Sequence, residues 1–134
     1  SKLSFYSFDQ EDREWELIAT TFSASHIIGK AETLGHFSLK KDQKAPELSN
    51  PRVRKRPDGK WIIYIDATDN LSGIDYSRSK IFVNGKQGIA EFEPENDRFV
   101  YYHPNFVPSS SMKIKVIAYD EMGNNTVQTF ELEN

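Results

Sequence analysis

The sequence predicts an all-β protein, and three observations carry that prediction. Short segments of alternating apolar and polar residues recur along the chain, Gly, Pro, Asn and Asp punctuate them, and Thr, Val, Ile, Phe and Tyr fill them. The 134 residues suffice for one ordinary domain or two very small ones. A 13% aromatic share (nine Phe, six Tyr, two Trp) supplies the large apolar groups that offset chain entropy, which argues against disorder. Cysteine is absent, so disulfides, thiol catalysis, thiolate metal sites and iron–sulfur clusters are excluded. No apolar run has the length of a transmembrane helix, and no membrane span is expected. A formal net charge of −3 is too mild to imply an acidic or basic partner for the whole molecule.

Taken in order, Leu3 to Phe8 alternates as a strand, Asp9 to Arg13 forms a charged tip, and Glu14 to Ile18 returns with Trp15 and Leu17 on one face. A helix from Glu11 to Phe22 is the rival reading, because Trp15, Ile18, Ala19 and Phe22 also fit helical spacing. The Thr-, Phe- and Tyr-rich flanks favour strands. His26 to Ile28 and Leu34 to Leu39 read as a second strand pair. The polar stretch Lys40 to Pro46 marks a boundary, dividing the chain into a small β segment at 1–44 and a larger unit at 45–134.

Beyond that boundary, Glu47 to Arg54 leads into the turn Arg56-Pro57-Asp58-Gly59. Trp61 to Ala67 is apolar on both faces and predicts a central strand in a sheet covered on both sides. After a loop from Thr68 to Asp75, strands are expected at Lys80–Val83, Gly88–Glu93 and Arg98–Tyr102. Asn84-Gly85 signals a hairpin whose connection Lys86 and Gln87 would lengthen. Pro104 to Ser111 reads as a loop, and Met112–Tyr119 and Asn125–Leu132 as a closing pair. Seven strands in about ninety residues predict an immunoglobulin-like antiparallel β-sandwich at 45–134, preceded by a small β-hairpin segment.

Residues 45–134 also carry an ordered set of turns: Ala45-Pro46, a strand ending Ile65-Asp66-Ala67-Thr68-Asp69, Ser72-Gly73-Ile74, Asn84-Gly85-Lys86, and Ala118-Tyr119-Asp120 before Gly123-Asn124. In this the chain resembles the bacterial immunoglobulin-like modules of secreted and cell-surface proteins. The front segment resembles the closing strands of a β-domain that often precedes such modules in Bacteroidota-type exported proteins, some of them lysostaphin-like zinc peptidases. The resemblance implies export, with an extracellular, cell-surface or periplasmic location, and an accessory role beside a neighbouring domain of the same precursor. Ser1-Lys2-Leu3, without an initiator Met or a signal-peptide pattern, reads as the interior of a longer precursor or as a trimmed chain.

Catalytic chemistry finds no support in the residue pattern. His26, His36 and His103 are scattered and form no zinc-spaced pair, and neither a Gly-x-Ser-x-Gly elbow nor a phosphate-binding glycine loop occurs. The chain is therefore expected not to be an enzyme, with no cofactor. Two acidic loops are calcium candidates: Asp66, Asp69, Asn70 and Asp75 in one, and Asp120, Glu121 and Asn124 in the other. Asp and Asn are also ordinary turn formers, and that reading is preferred, with Asp66 and Asp120 binding the amides of their own turns.

From Lys40 to Lys60, eight Lys or Arg face only Asp42, Glu47 and Asp58, and Arg52, Arg54 and Arg56 alternate onto one face. That face suits an anionic glycan, a lipid headgroup or a nucleic acid or, more commonly, a solvated edge strand whose charge resists edge-to-edge pairing, and the edge strand is preferred. Nucleic acid is not expected as a partner, because no binding motif accompanies the charge. Tyr102, His103 and Phe106, with Tyr101 and Trp61, are candidates for a sugar-stacking platform. The sequence thus predicts a non-catalytic structural or interaction module contacting a neighbouring domain, a cell-surface protein or a glycan. A carbohydrate-binding module is the alternative.

Overall fold

The computed structural model describes residues 1–134, an all-β chain whose antiparallel sheets pack as a sandwich behind a small N-terminal sheet. In the front segment, β1 (Leu3–Asp9) lies between β2 (Glu14–Leu17) and β5 (Phe37–Lys41). Phe8 pairs with Trp15 across β1 and β2, with ring centroids 5.1 Å apart, and the Lys40 ammonium lies 4.2 Å from the Trp15 ring centre. This cross-strand stacking favours the strand over the rival helix. The two-residue period then puts Trp15 and Leu17 on the half-buried face.

The second expected pair is wired differently. β3 (Thr20–Phe22) pairs with β4 (Ile27–Gly29), while Phe37–Lys41 joins β1. The hairpin packs so closely on the sheet that a Cβ at Gly29 would lie 2.8 Å from Phe5 Cδ2.

The sandwich begins after Pro46. One sheet has the order β10 (Ile89–Glu93), β11 (Arg98–Tyr102), β7 (Trp61–Thr68), β6 (Glu47–Lys55). The other runs β13 (Asn125–Glu133), β12 (Ser111–Asp120), β8 (Ile74–Val83), β9 (Lys86–Gln87). Counting from β6 and including the short edge strand β9, the first, second, fifth and sixth strands form one sheet of the sandwich and the third, fourth, seventh and eighth form the other. Alternation aims Ile63, Ile65 and Ala67 of β7 and Met112, Ile114, Val116 and Ala118 of β12 at one another. Phe99, Tyr101, Ile81, Val83 and Leu48 close the core.

Three details differ from expectation. β7 is central, but its outer face is covered by side chains of its own sheet: Arg52 and Arg98 stack over Tyr64 at 5.3 and 3.8 Å. Asn84-Gly85 closes a true two-residue loop, both residues at positive φ (49° and 80°), with Val83 opposite Lys86. β8 starts at Ile74, six residues earlier than its alternation suggests, because it carries a bulge. There the Ser79 hydroxyl donates to Asp75 O (2.8 Å) and accepts from Tyr119 N (3.1 Å), standing in for ladder bonds.

Candidate functional site

The chain's chemistry gathers where the front segment meets one end of the sandwich. Asp42 lies between β5 and β6, Asp69 follows β7, and Asp120 ends β12. One oxygen of each carboxylate lies within 4.8 Å of the others, the one place where three side chains of metal-ligating type converge. Asp42 and Asp120 are buried and Asp69 is half-buried.

The same local turn sets all three. Each carboxylate accepts the N–H two residues on: Asp42 from Lys44 (3.2 Å), Asp69 from Leu71 (3.1 Å) and Asp120 from Met122 (2.9 Å). Asp69 and Asp120 also accept the N–H four residues on, from Gly73 (2.9 Å) and Asn124 (2.8 Å). The turns are then stitched together. Ser72 N donates to Asp42 Oδ2 (2.9 Å), Glu121 N donates to Gly73 O (3.0 Å), and Asn124 Nδ2 reaches both Asp42 O (3.2 Å) and Asp120 Oδ2 (2.7 Å). Lys2 Nζ donates to Asn124 Oδ1, so the first strand region is tied in as well.

Charge is not balanced here. No Lys, Arg or His forms an ion pair with Asp42, Asp69 or Asp120, whereas buried charges are ordinarily paired or bound to metal. Burial pushes the Asp69 carboxyl up, against its two backbone hydrogen bonds, and the neighbouring Asp42 and Asp120 add to the rise. Burial and the charges of Asp75 and Asp120 likewise raise Glu121. Tyr6 on β1 is fully buried, and its phenol is pushed up to about 12 by burial and by all three carboxylates. Its hydroxyl has no hydrogen-bond partner, and neither do Asp69 Oδ1 and the Ser72 hydroxyl.

No family model matches the chain, and neither a curated protein nor a solved structure does.

Of the calcium candidates, the structure brings together Asp69 and Asp120 and leaves out Asp66 and Asp75, each of which holds a bulge. Asp66 does not bind its own turn. It accepts from Arg52 Nη1 (2.8 Å) and Asn50 Nδ2 (2.9 Å), bracing the β6 irregularity where Asn50 sits at φ 52°. Burial alone would raise its carboxyl, but Asn50, Arg52 and the charge of Arg98 hold it below its usual value. Asp75 accepts from the Ser77 hydroxyl (2.6 Å) and Arg78 N (3.2 Å). Asp42 is the member that sequence reasoning missed, because its setting among lysines gives no local sign of burial.

The aromatic candidates do not assemble a platform. Phe106 packs edge-on against buried Tyr101 (5.6 Å), the Tyr102 hydroxyl accepts from Lys60 Nζ (3.2 Å), and His103 Nδ1 accepts from Asn105 N (3.2 Å). Arg54 donates to Val53 O (3.1 Å) on edge strand β6 and meets no carboxylate. Beside the acidic cluster lies an open cleft of ≈ 970 Å³ between β2 and the loop after β7, lined in part by Trp15, Asn70, Tyr76 and Glu121.

Proposed function

We propose that the chain is a non-catalytic structural and interaction module of an exported bacterial cell-surface or secreted protein, holding a neighbouring domain of the same precursor at a fixed spacing. The observation that carries this reading is the stitched junction. A front segment too small for a core of its own is bonded to the sandwich through Asp42, Asn124 and Lys2, and Pro46 O accepts from the Thr126 hydroxyl (2.5 Å). A spacer works only if its parts keep a fixed relation, and buried hydrogen bonds across a joint supply that.

The front segment also exposes Phe22, Ile28, Leu34, Phe37 and Leu39, a concentration of apolar surface that suits contact with an adjoining domain. Hydrogen exchange of β3, β4 and β5 amides, measured in this chain and in its precursor, tests the reading. Slower exchange in the precursor is expected; identical rates would remove the neighbouring domain from the account.

A carbohydrate-binding role is supported by one observation, the cleft in which Trp15 and exposed Tyr76 face Asn70 and Glu121. Sugars bind through such combinations of aromatic faces and polar groups. A glycan array distinguishes the two readings: retention that is lost in Trp15→Ala favours the sugar, and no retention leaves the spacer.

A further inference from the structure

We propose that Asp42, Asp69 and Asp120 bind one calcium ion, which locks the front segment onto the end of the sandwich. The donor set is all oxygen, the chemistry of a hard cation, and carboxylates offered by three separate turns suit the irregular six-to-eight-fold coordination of calcium better than the strict octahedron of magnesium. Three carboxylates without a cationic partner crowd one largely buried point, and a divalent ion leaves a single net negative charge there.

The second, independent observation is the set of buried polar atoms around that point. The Tyr6 hydroxyl, fully buried, and the Ser72 hydroxyl, in a residue only 6% exposed, lack any hydrogen-bond partner, as does Asp69 Oδ1. Unmatched polar atoms this deep are uncommon in folded proteins, and a bound ion is among their ordinary explanations. The carboxylates are meanwhile already oriented by backbone N–H groups, the outer-shell support that metal ligands require. The three ligands come from the linker and from both loops at one end of the sandwich, so binding couples parts distant in sequence. This inference concerns the joint itself and stands whether or not a neighbouring domain exists.

The test is a calcium titration of the full chain after dialysis against EDTA, by calorimetry and thermal melting. One site per chain is expected. At free calcium a hundred times Kd the folded-to-unfolded ratio rises about a hundredfold, which lifts Tm by about 10 °C. Trypsin cleavage at Lys40, Lys41 and Lys44 slows in step. Asp69→Asn and Asp42→Asn each remove one negative charge at nearly constant shape. In EDTA Asp69→Asn, whose Oδ1 bonds nothing, melts at or above the parent temperature, whereas Asp42→Asn gives up one of the two amides its oxygens accept and melts lower; both lose the calcium response.

Terbium luminescence excited through the aromatic side chains, displaced by calcium, gives a readout that does not depend on the variants. The proposal is overturned if the parent shows neither binding heat nor a Tm shift in about 10 mM calcium, ten times the Kd of the weakest extracellular modules. It is equally overturned if both Asn variants bind calcium as the parent does.

Discussion

Replacing Asn124 with Ala removes the side chain that joins the two halves of the junction. Three hydrogen bonds go with it: to Asp42 O (3.2 Å), to Asp120 Oδ2 (2.7 Å), and from Lys2 Nζ. The bond to a charged carboxylate contributes about 1.5–3 kcal/mol and the neutral one about 1 kcal/mol, while the Lys2 contact, near solvent, adds little. Asn124 itself is only 8% exposed, so its former partners are left with little water to replace it. We expect a loss of about 3 kcal/mol in urea unfolding and a Tm lower by about 10 °C.

The loss should be uneven. In native-state hydrogen exchange in EDTA, amides of β1 and β5 should lose protection more than those in the middle of β12, because the sandwich core lies away from the substitution. A destabilisation under about 1 kcal/mol, or equal loss of protection in both regions, would refute the idea that this residue holds the joint.

Other predictions address the sandwich. A Cβ at Gly88 would lie 2.4 Å from Tyr101 Cε2 and 2.7 Å from Tyr102 O, so Gly88→Ala should cost about 1–3 kcal/mol in urea unfolding. Gly35→Ala, which meets nothing within 4 Å, should stabilise by about 0.4–1 kcal/mol through the unfolded chain. Asp66 has a lowered folded pKa, so its contribution is fully present above the unfolded value of about 3.9 and is lost as pH falls through the folded one. Asp66→Asn should therefore lower stability at pH 7, by about 1 kcal/mol or less for so accessible a pair, and make no difference at about pH 2. Ser79→Ala leaves Tyr119 N without its acceptor and should cost about 1–3 kcal/mol by thermal melting, with Ser79→Thr recovering part of it.

Strands that alternate without interruption were readable from residues alone, as Met112 to Ala118 shows, since burial of every second side chain is what the sandwich requires. β8 was readable only at its end. Tyr76, Ser77 and Arg78 belong to the bulge and face solvent, so they break the period while the backbone remains a strand. Pairing of the short strands was also beyond local reading, because Ile27 and Phe37 have similar neighbours and differ in where the chain folds back.

The site divides in the same way. Asp69 and Asp120 were visible as turn acids, but Asp66 and Asp75 carried the same local signature and serve bulges instead. Asp42 sits among lysines in a stretch that looks solvated, yet it is 1% exposed. Only the tertiary meeting of three loops distinguishes it.

The sandwich's two outermost long strands, β6 and β13, both start at the junction and run toward its far end. Tension applied between the linker and the end of β13 therefore acts along the strands and loads their hydrogen bonds in shear. The β12–β13 ladder, continuous from Tyr119↔Asn125 to Ser111↔Glu133, would have to give way together rather than one rung at a time. A chain so threaded would yield to stretching by shear of a whole ladder rather than by unzipping.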